Sequence, residues 1–268
     1  MRNSRRNDMS EGNDKVLTLY FTKNAETFNA ESYRSLLAQR GVRQDVFIVS
    51  AESVGLPNNI IVPVKGDWPL PARIGYSFNV ALTCVLRGDQ RRLFEYTHLF
   101  KVDGDTVLPE DYLENLLRKH APVAGAGSAL LISVPFFVVV MGGKYPVNYC
   151  DDGYISSLSI ALGAWPPKYD GGGKLKIPPV RLIPEREYAY GIEYYKWGMP
   201  LQLVVLLPVA ARLLRVSPHE RRSLKAHLLN LAGYASAMLK RAPRYHFYQR
   251  YARARSRHFA RRLLLMEE

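Results

Sequence analysis

The chain has 268 residues, of which 47% are hydrophobic and 23% are charged. This length and composition allow one large globular domain, or one domain with an appendage, and exclude a disordered or fibrous chain. Two cysteines, Cys84 and Cys150, cannot form a disulfide framework or a four-ligand zinc site, and their small number favours a reducing compartment.

The net charge of +13 is concentrated in one segment. Between Arg212 and Arg262 there are fourteen Arg or Lys residues and one acid, whereas the first 211 residues carry a net charge of only +2. The question of an anionic partner therefore concerns the C-terminal region. We see no signal peptide and no apolar run long enough to cross a bilayer, and we interpret residues 1–14 as a flexible leader.

The first part of the chain alternates strand-like and helix-like segments. Strands are predicted at Val16–Phe21, Asp45–Val49, Ile60–Val64 and Tyr96–Val102, and helices at Ala30–Arg40, Gly75–Leu86 and Leu108–Lys119. Strands that alternate with helices indicate an α/β fold with Rossmann-like crossovers.

The pattern changes after Val123. The segments that follow are a β-rich run at Ala129–Met141, a turn at Gly142-Gly143, a predicted helix at Asp152–Leu162, a Pro/Gly-rich loop at Trp165–Pro179 and a predicted strand at Val180–Ile183. The glycines and lysines of the loop fit either a lid over a phosphate-bearing ligand or a solvated turn. Residues from Tyr194 onward are predicted to form two or three helices.

Asp103 and Asp105 are the most informative residues. They follow a buried strand and precede a helix, at the place where open α/β sheets bind ligands. Hard oxygen ligands at this spacing suit Mg²⁺ or Mn²⁺ on a diphosphate. The alternative is a polar turn in which an Asp caps the next helix.

Asp151 and Asp152 open the helix that follows the Gly142-Gly143 turn. Acidic residues at this position can simply complement the helix dipole. The alternative is a general base, because a carboxylate with a like-charged neighbour can have a raised pKa.

Together these segments resemble the family 2 inverting glycosyltransferases of the GT-A fold. The resemblance covers roughly Leu17 to Gly163 and lies in the order and spacing of five segments: VSAES at Val49–Ser53, RIGYSFN at Arg73–Asn79, DGD at Asp103–Asp105, GGKYP at Gly142–Pro146, and Asp151-Asp152. It implies a mixed sheet flanked by helices over residues 15–193, followed by an amphipathic, basic helical region over residues 194–268.

The resemblance also implies a donor site for a nucleoside-diphosphate sugar. Asp105 and Asp103 would hold Mn²⁺ or Mg²⁺ on the diphosphate, Arg73 and Thr22 would contact the nucleotide, and Glu52 would be the one acid left to read the base. In this family the acceptor hydroxyl, on a glycan or a lipid-linked molecule, loses its proton to the Asp of a Glu-Asp pair.

Here Asp151-Asp152 matches that pair, so Asp152 is the implied catalytic base. The Gln-x-x-Arg-Trp signature of processive synthases is absent after Gly163, which implies transfer of one sugar at a time.

The C-terminal region permits two interpretations. Apolar residues recur at helical spacing beside many basic residues, at Leu224, Leu228, Leu231, Ala235 and Met238. Such a stripe is typical of an interfacial helix on anionic lipid, which would make the protein cytoplasmic and peripheral on the inner membrane face. Alternatively, the stripe packs on the domain.

Three other functions remain open. Arg residues alternate with aromatic residues from Tyr245 to Arg257, which would suit nucleic acid, but no recognised nucleic-acid module accompanies them. A sugar nucleotidyltransferase would need a Gly-rich loop with Arg after the first strand, where this chain has TKNA at Thr22–Ala25. A catalytically inactive relative is the third, because Ser50 and Ala51 replace the usual carboxylates.

Overall fold

A mixed sheet organises the part of the chain that the computed structural model describes, which is residues 14–64, 66, 68–177, 182–206 and 223–264. Its strands are β1 (Lys15–Phe21), β2 (Arg43–Ser50), β3 (Asn59–Ile61), β4 (His98–Asp103), β5 (Val123–Ala126) and β6 (Ala129–Ser133), in the order β3-β2-β1-β4-β6-β5. The first four strands are parallel, whereas β6 is antiparallel to both β4 and β5. The predicted mixed α/β architecture is confirmed.

Helices flank this sheet. They are α1 (Ala30–Leu37), α2 (Leu70–Val85), α3 (Tyr112–Leu117), α4 (Asp151–Ala161), α5 (Pro184–Trp197), α6 (Leu224–Leu239) and α7 (Tyr248–Leu264). A 3₁₀ helix at Gln90–Glu95 precedes β4, and residues 201–206 are also helical. No helix within the described ranges combines the length and apolarity needed to cross a membrane.

Prolines explain two differences from the predicted elements. Helix α2 begins at Leu70 rather than at Gly75, because Pro69 and Pro71 occupy the N-cap and the first turn, where a missing N–H is harmless. The β-rich run from Ala129 ends as a strand at Ser133, since Pro135 cannot donate to a ladder, and continues as a π-helical turn at Phe136–Val140.

The predicted strand at Val180–Ile183 is wrong for the residues that can be checked. Leu182 and Ile183 belong to no strand, and α5 begins immediately afterwards at Pro184. Val180 lies outside the described residues, as do residues 1–13 of the predicted leader. Pro184 again occupies a helical first turn, so the apolar residues before it lead into a helix.

The sheet separates two apolar clusters, as alternation along β1 requires. Leu17 and Leu19 face the cluster that contains α2 and α4, whereas Val16 and Tyr20 face the cluster that contains α1 and α3. Residues on the two sides of a strand alternate, so Lys101 shares the α2 and α4 side with Leu99.

The C-terminal helices pack against the same cluster as α2 and α4. Trp197, Tyr234 and Tyr251 are buried there together with Phe78 and Ile155. Helix α5 also spans the boundary that was predicted between residues 193 and 194.

Glycine contacts join α5 to α6. A Cβ at Gly191 would collide with the backbone carbonyl of Asn230, and a Cβ at Gly233 with that of Tyr188. The backbones of these helices therefore approach as closely as only glycine allows.

The predicted apolar stripe on α6 is divided, because Leu231 packs against the cluster that contains α2 and α4 whereas its first two leucines are exposed. Leu224 and Leu228 are 56% and 57% exposed, whereas Gly233, Tyr234 and Ala237 are buried. Helix α6 is therefore apolar on both its packed and its exposed faces.

Candidate active site

A cavity of about 420 Å³ lies where the strand order reverses, beside the carboxyl ends of β1 and β4. Phe21, the last residue of β1, is in register with Asp103, the last residue of β4. Open α/β sheets bind ligands at this switch point, and the volume is that of a small-molecule site.

Four of the predicted donor-site residues line this cavity: Thr22, Arg73, Asp103 and Asp105. Gly104, between the two aspartates, donates its N–H to the carbonyl of Phe21 at 2.7 Å. A Cβ on this glycine would lie 2.5 Å from the same carbonyl oxygen. Glycine therefore lets the chain turn against β1 with one aspartate on each side.

The two aspartates have different environments. Asp103 Oδ1 lies 2.6 Å from the ammonium of Lys101, and burial, as the largest cause, raises the pKa of Asp103. Asp105 is exposed, and no hydrogen bond or ion pair engages its carboxylate within the described residues. Asp105 is therefore the carboxylate that is more available to bind a cation.

Arg73 lies in the first turn of α2 and presents an unsatisfied donor. Its Nε is buried and has no hydrogen-bond partner among the described residues. A buried guanidinium N–H without a partner is rare and fits a site for an anionic ligand.

Thr22 and Glu52 differ in their relation to the cavity. Thr22 follows β1, where its N–H donates to the carbonyl of Val49 at 3.0 Å and its hydroxyl contacts that of Thr27 at 3.2 Å. Glu52 is exposed and does not line the cavity; its carboxylate accepts a 3.4 Å hydrogen bond from Asn24. The structure therefore does not bring Glu52 together with the other predicted residues.

Asp151 occupies the first turn of α4 and is buried. Its Oδ2 accepts a 2.8 Å hydrogen bond from the hydroxyl of Tyr145. Burial raises the pKa of Asp151 to about 6, with the negative charge of Asp152 adding to the rise and Lys101 opposing it. Burial and the hydrogen bond from Tyr145 therefore fix the side chain of Asp151 inside the fold.

Asp152 is partly exposed and its side chain lies against a glycine. Oδ1 accepts the N–H of Gly153 at 2.8 Å, and a Cβ at Gly127 would collide with Oδ2. Of the two neighbouring carboxylates, Asp152 is the more exposed, and neither of them lines the cavity.

Lys101 connects the two aspartate pairs, and the sequence reasoning missed it. It is only 3% exposed, and its ammonium donates to the carbonyl of Gly127 at 2.9 Å. Burial alone would lower the pKa of Lys101, but Asp103 and Asp151 outweigh burial and raise it. The available signal was a single charged residue inside an apolar strand.

Tyr145 was also missed, although it lies in the GGKYP segment. Its backbone exchanges two hydrogen bonds with the Asn79 side chain, at 2.8 and 2.9 Å, which tie the segment to α2. Its buried hydroxyl then reaches Asp151. A tyrosine six residues before an aspartate gives no sequence signal of this contact.

The cavity suits a metal ion that takes only some of its ligands from the protein and the others from a bound substrate. In the ranges that the structure describes, no three His, Cys, Asp or Glu side chains are grouped closely enough to bind a metal. Mg²⁺ typically takes one or two carboxylates and completes its shell with substrate phosphates and water. Asp105 and Asp103 fit that requirement.

The Pro/Gly-rich loop is fastened to the residues that flank α3 and to α1. The hydroxyl of Tyr169 donates to Asp111 at 2.6 Å, Asp170 pairs with Lys119 at 2.5 Å, and Lys176 pairs with Glu31 at 3.0 Å. None of the described loop residues lines the cavity. Of the two interpretations, these contacts fit an anchored surface turn better than a lid; residues 178–181 lie outside the description.

No protein-family model matches the chain, and no curated protein matches it. Residues 1–349 of S. aureus TarS, in complex with UDP, are similar in structure with a TM-score of 0.42 and 13% identity, over 84% of this chain and 72% of that one. Mannosyltransferase PcManGT from Pyrobaculum calidifontis, in complex with GDP-Man and Mn²⁺, is similar with a TM-score of 0.46 and 14% identity, over 90% of this chain and 84% of that one.

Proposed function

We propose that the protein is an inverting, family 2-like glycosyltransferase of the GT-A fold, which moves one sugar from a nucleoside-diphosphate sugar to a hydroxyl acceptor. The observation that carries this proposal is the juxtaposition at one edge of the sheet. The cavity is lined by Asp103, Asp105 and Arg73. The buried Lys101 pairs with Asp103 and donates to the carbonyl of Gly127, the residue against which Asp152 lies.

On the donor side, Arg73 and Asp105 have complementary tasks. The unpaired guanidinium of Arg73 would bind a diphosphate oxygen, and Thr22 would contact the nucleoside. Asp105, with Asp103, would hold Mn²⁺ or Mg²⁺. When bound, the metal would offset the charge that develops on the leaving diphosphate.

On the acceptor side, Asp152 would act as general base. Its carboxylate takes the proton of the acceptor hydroxyl, the hydroxyl oxygen bonds to the anomeric carbon, and the bond to the diphosphate oxygen breaks with its electrons leaving on the diphosphate. A single displacement inverts the anomeric centre. Asp151, held by Tyr145, would keep the first turn of α4 in place.

The acceptor is proposed to be a glycan or a lipid-linked molecule at an anionic membrane surface. Support comes from the exposed apolar side chains of α6, including Leu224, Leu228 and Leu239, in the region that also carries the excess positive charge. The protein would then be cytoplasmic and peripheral on the inner membrane face.

The aromatic residues of the basic region do not favour the nucleic-acid alternative. Phe247 and Tyr251 are only 3% and 2% exposed, and the hydroxyl of Tyr245 donates to Glu193 at 2.7 Å. Side chains that are buried in the protein cannot stack on bases.

The proposal is tested by incubating the chain with nucleotide sugars, Mn²⁺ and candidate acceptors and measuring released nucleoside diphosphate and glycosylated product. Asp152→Asn should retain donor binding and lose transfer, whereas Asp105→Asn should lose metal-dependent donor binding. Glu95→Gln, at an exposed residue that pairs with Arg92, is the control. Transfer by Asp152→Asn at the wild-type rate would contradict the assignment of the base.

A further inference from the structure

Helix α7 carries six arginines and no acidic residue. Three of them, Arg250, Arg253 and Arg257, are exposed and recur at the spacing that places residues on one helix face. They line an open concavity of about 300 Å³ together with Ile160–Gly163, at the C-terminal end of α4. We call this surface, lined by the three arginines, the arginine concavity.

Two other arginines of the region lie against aromatic rings. The guanidinium of Arg244 lies 4.4 Å from the ring centre of Tyr195, and that of Arg255 lies 5.4 Å from the ring centre of Trp165. The first contact packs the segment before α7 on α5, and the second packs α7 on the loop that follows α4.

The arginine concavity has no comparable partners. Within the described ranges none of its three guanidinium groups forms an ion pair, and Arg253 makes only a 3.4 Å contact with the backbone carbonyl of Gln249. Like charges at this spacing repel one another and destabilise a helix. An anion bound between the three arginines would relieve this repulsion and stabilise α7.

The chemistry of the lining favours phosphate. The guanidinium group is a planar fork of donors that matches phosphate oxygens, and three arginines line the concavity together with the apolar residues Ile160, Ala161 and Leu162. The carbonyls of Ser159 and Ile160 already accept N–H groups that end α4, so they do not need the arginines.

We propose that the arginine concavity is a phosphate-binding site, separate from the donor cavity, that takes the phosphate of an anionic lipid headgroup or a small soluble phosphate. The proposal deepens the membrane contact proposed above and does not depend on sugar transfer, because none of its residues lines the donor cavity. The exposed leucines of α6 favour the lipid source, and the buried aromatic residues of the region disfavour RNA.

The test compares two triple variants of the full chain that lose the same charge. One is Arg250→Gln, Arg253→Gln, Arg257→Gln, and the control is Lys225→Gln, Lys240→Gln, Arg241→Gln, at exposed basic residues of the same region outside the concavity. Binding is measured by cosedimentation with phosphatidylcholine vesicles with and without phosphatidic acid, and by calorimetry with inorganic pyrophosphate. Circular dichroism melting verifies that both variants are folded.

We expect the concavity variant to lose about tenfold or more in affinity for phosphatidic acid vesicles and the control variant to lose several-fold less. Selective loss of pyrophosphate binding without any vesicle binding would support the soluble source. Equal losses in both variants would show diffuse attraction and overturn the site, as would the absence of binding to both probes. Tighter binding to a single-stranded RNA than to vesicles would overturn the choice of ligand. Donor binding, measured in parallel, reports separately on the proposed transferase.

Discussion

The ammonium nitrogen of Lys101 lies 2.6 Å from Oδ1 of Asp103, at the end of the strand that leads into the cavity. The same ammonium donates a hydrogen bond to the carbonyl oxygen of Gly127, the residue against which Asp152 packs. One buried cation therefore holds together the residues proposed for the donor side and those proposed for the acceptor side.

Lys101→Met should reduce the free energy of unfolding by about 3–5 kcal/mol, because removing one partner leaves the buried Asp103 carboxylate without its counter-charge. Urea denaturation measures the loss. Lys176→Met, which breaks the exposed pair with Glu31, should change it by less than about 1 kcal/mol. Equal stability of the two variants would show that Lys101 is not an essential counter-charge.

Gly104→Ala should weaken nucleotide binding and lower stability by about 1–3 kcal/mol, because the new methyl group would be forced against the carbonyl of Phe21. Thermal melting and calorimetric titration with nucleoside diphosphate measure the two effects. Gly172→Ala is the matched control, since a Cβ there meets no atom within 4 Å. If both variants bind and melt like the wild type, the close turn between Asp103 and Asp105 is not required.

Protonation of Asp151 should stabilise the metal-free protein as the pH falls from 7 to 5. Burial raises the pKa of Asp151 to about 6, above the ordinary value of 3.8, so the folded state holds an unfavourable ionised carboxyl above pH 6 and gains stability when that group takes up a proton. The pKa of Asp45 is lowered, so its titration lies below this window. Burial lowers the pKa of His98, so His98 opposes the gain from Asp151 as the pH falls.

Melting temperatures in EDTA at pH 5 and pH 7 measure the net change, and the difference between wild type and Asp151→Asn isolates the contribution of Asp151. The variant should lose that contribution and keep those of Asp103, in the same direction, and of His98, in the opposite direction. An identical pH dependence in wild type and variant would place the titration elsewhere.

Gly153→Ala should lower the rate of the proposed sugar transfer more than it lowers affinity for the proposed donor. A Cβ at residue 153 would collide with the indole of Trp197 and lie 2.6 Å from Cys150 Sγ, and either contact would displace the first turn of α4 that carries Asp152. Steady-state kinetics separate the two effects. Adding Trp197→Leu should recover part of the rate, and the absence of any recovery would exclude that contact as the cause.

Much of the fold and part of the site could be predicted from the sequence. Alternating apolar strands and helical spacing located β1, β2, β4 and α4 to within a few residues, and the position of Asp103 and Asp105 after an apolar strand placed them at the sheet edge. The local sequence pattern is sufficient to predict these positions, because the type and limits of a strand or helix depend mainly on residues that are neighbours along the chain.

The remainder depends on side-chain directions that the packing of the elements determines, even where the two partners are close in sequence. The Tyr145–Asp151 hydrogen bond, the Lys101–Asp103 pair beside Gly127 and the exposed orientation of Leu224 are decided by how the helices pack on the sheet. Glu52 was expected at the donor site from its place after β2, but its side chain projects to solvent.

The most direct test of the central claim is the thermal stability of the chain with UDP, GDP, CDP and dTDP, each with and without Mn²⁺. A ligand at about one hundred times its dissociation constant stabilises a fold by about 3 kcal/mol. We predict a clear rise in melting temperature with one nucleotide, dependent on Mn²⁺ and lost in Asp105→Asn. No shift with any nucleotide, or a shift of the same size in Asp105→Asn, would contradict the proposed donor site.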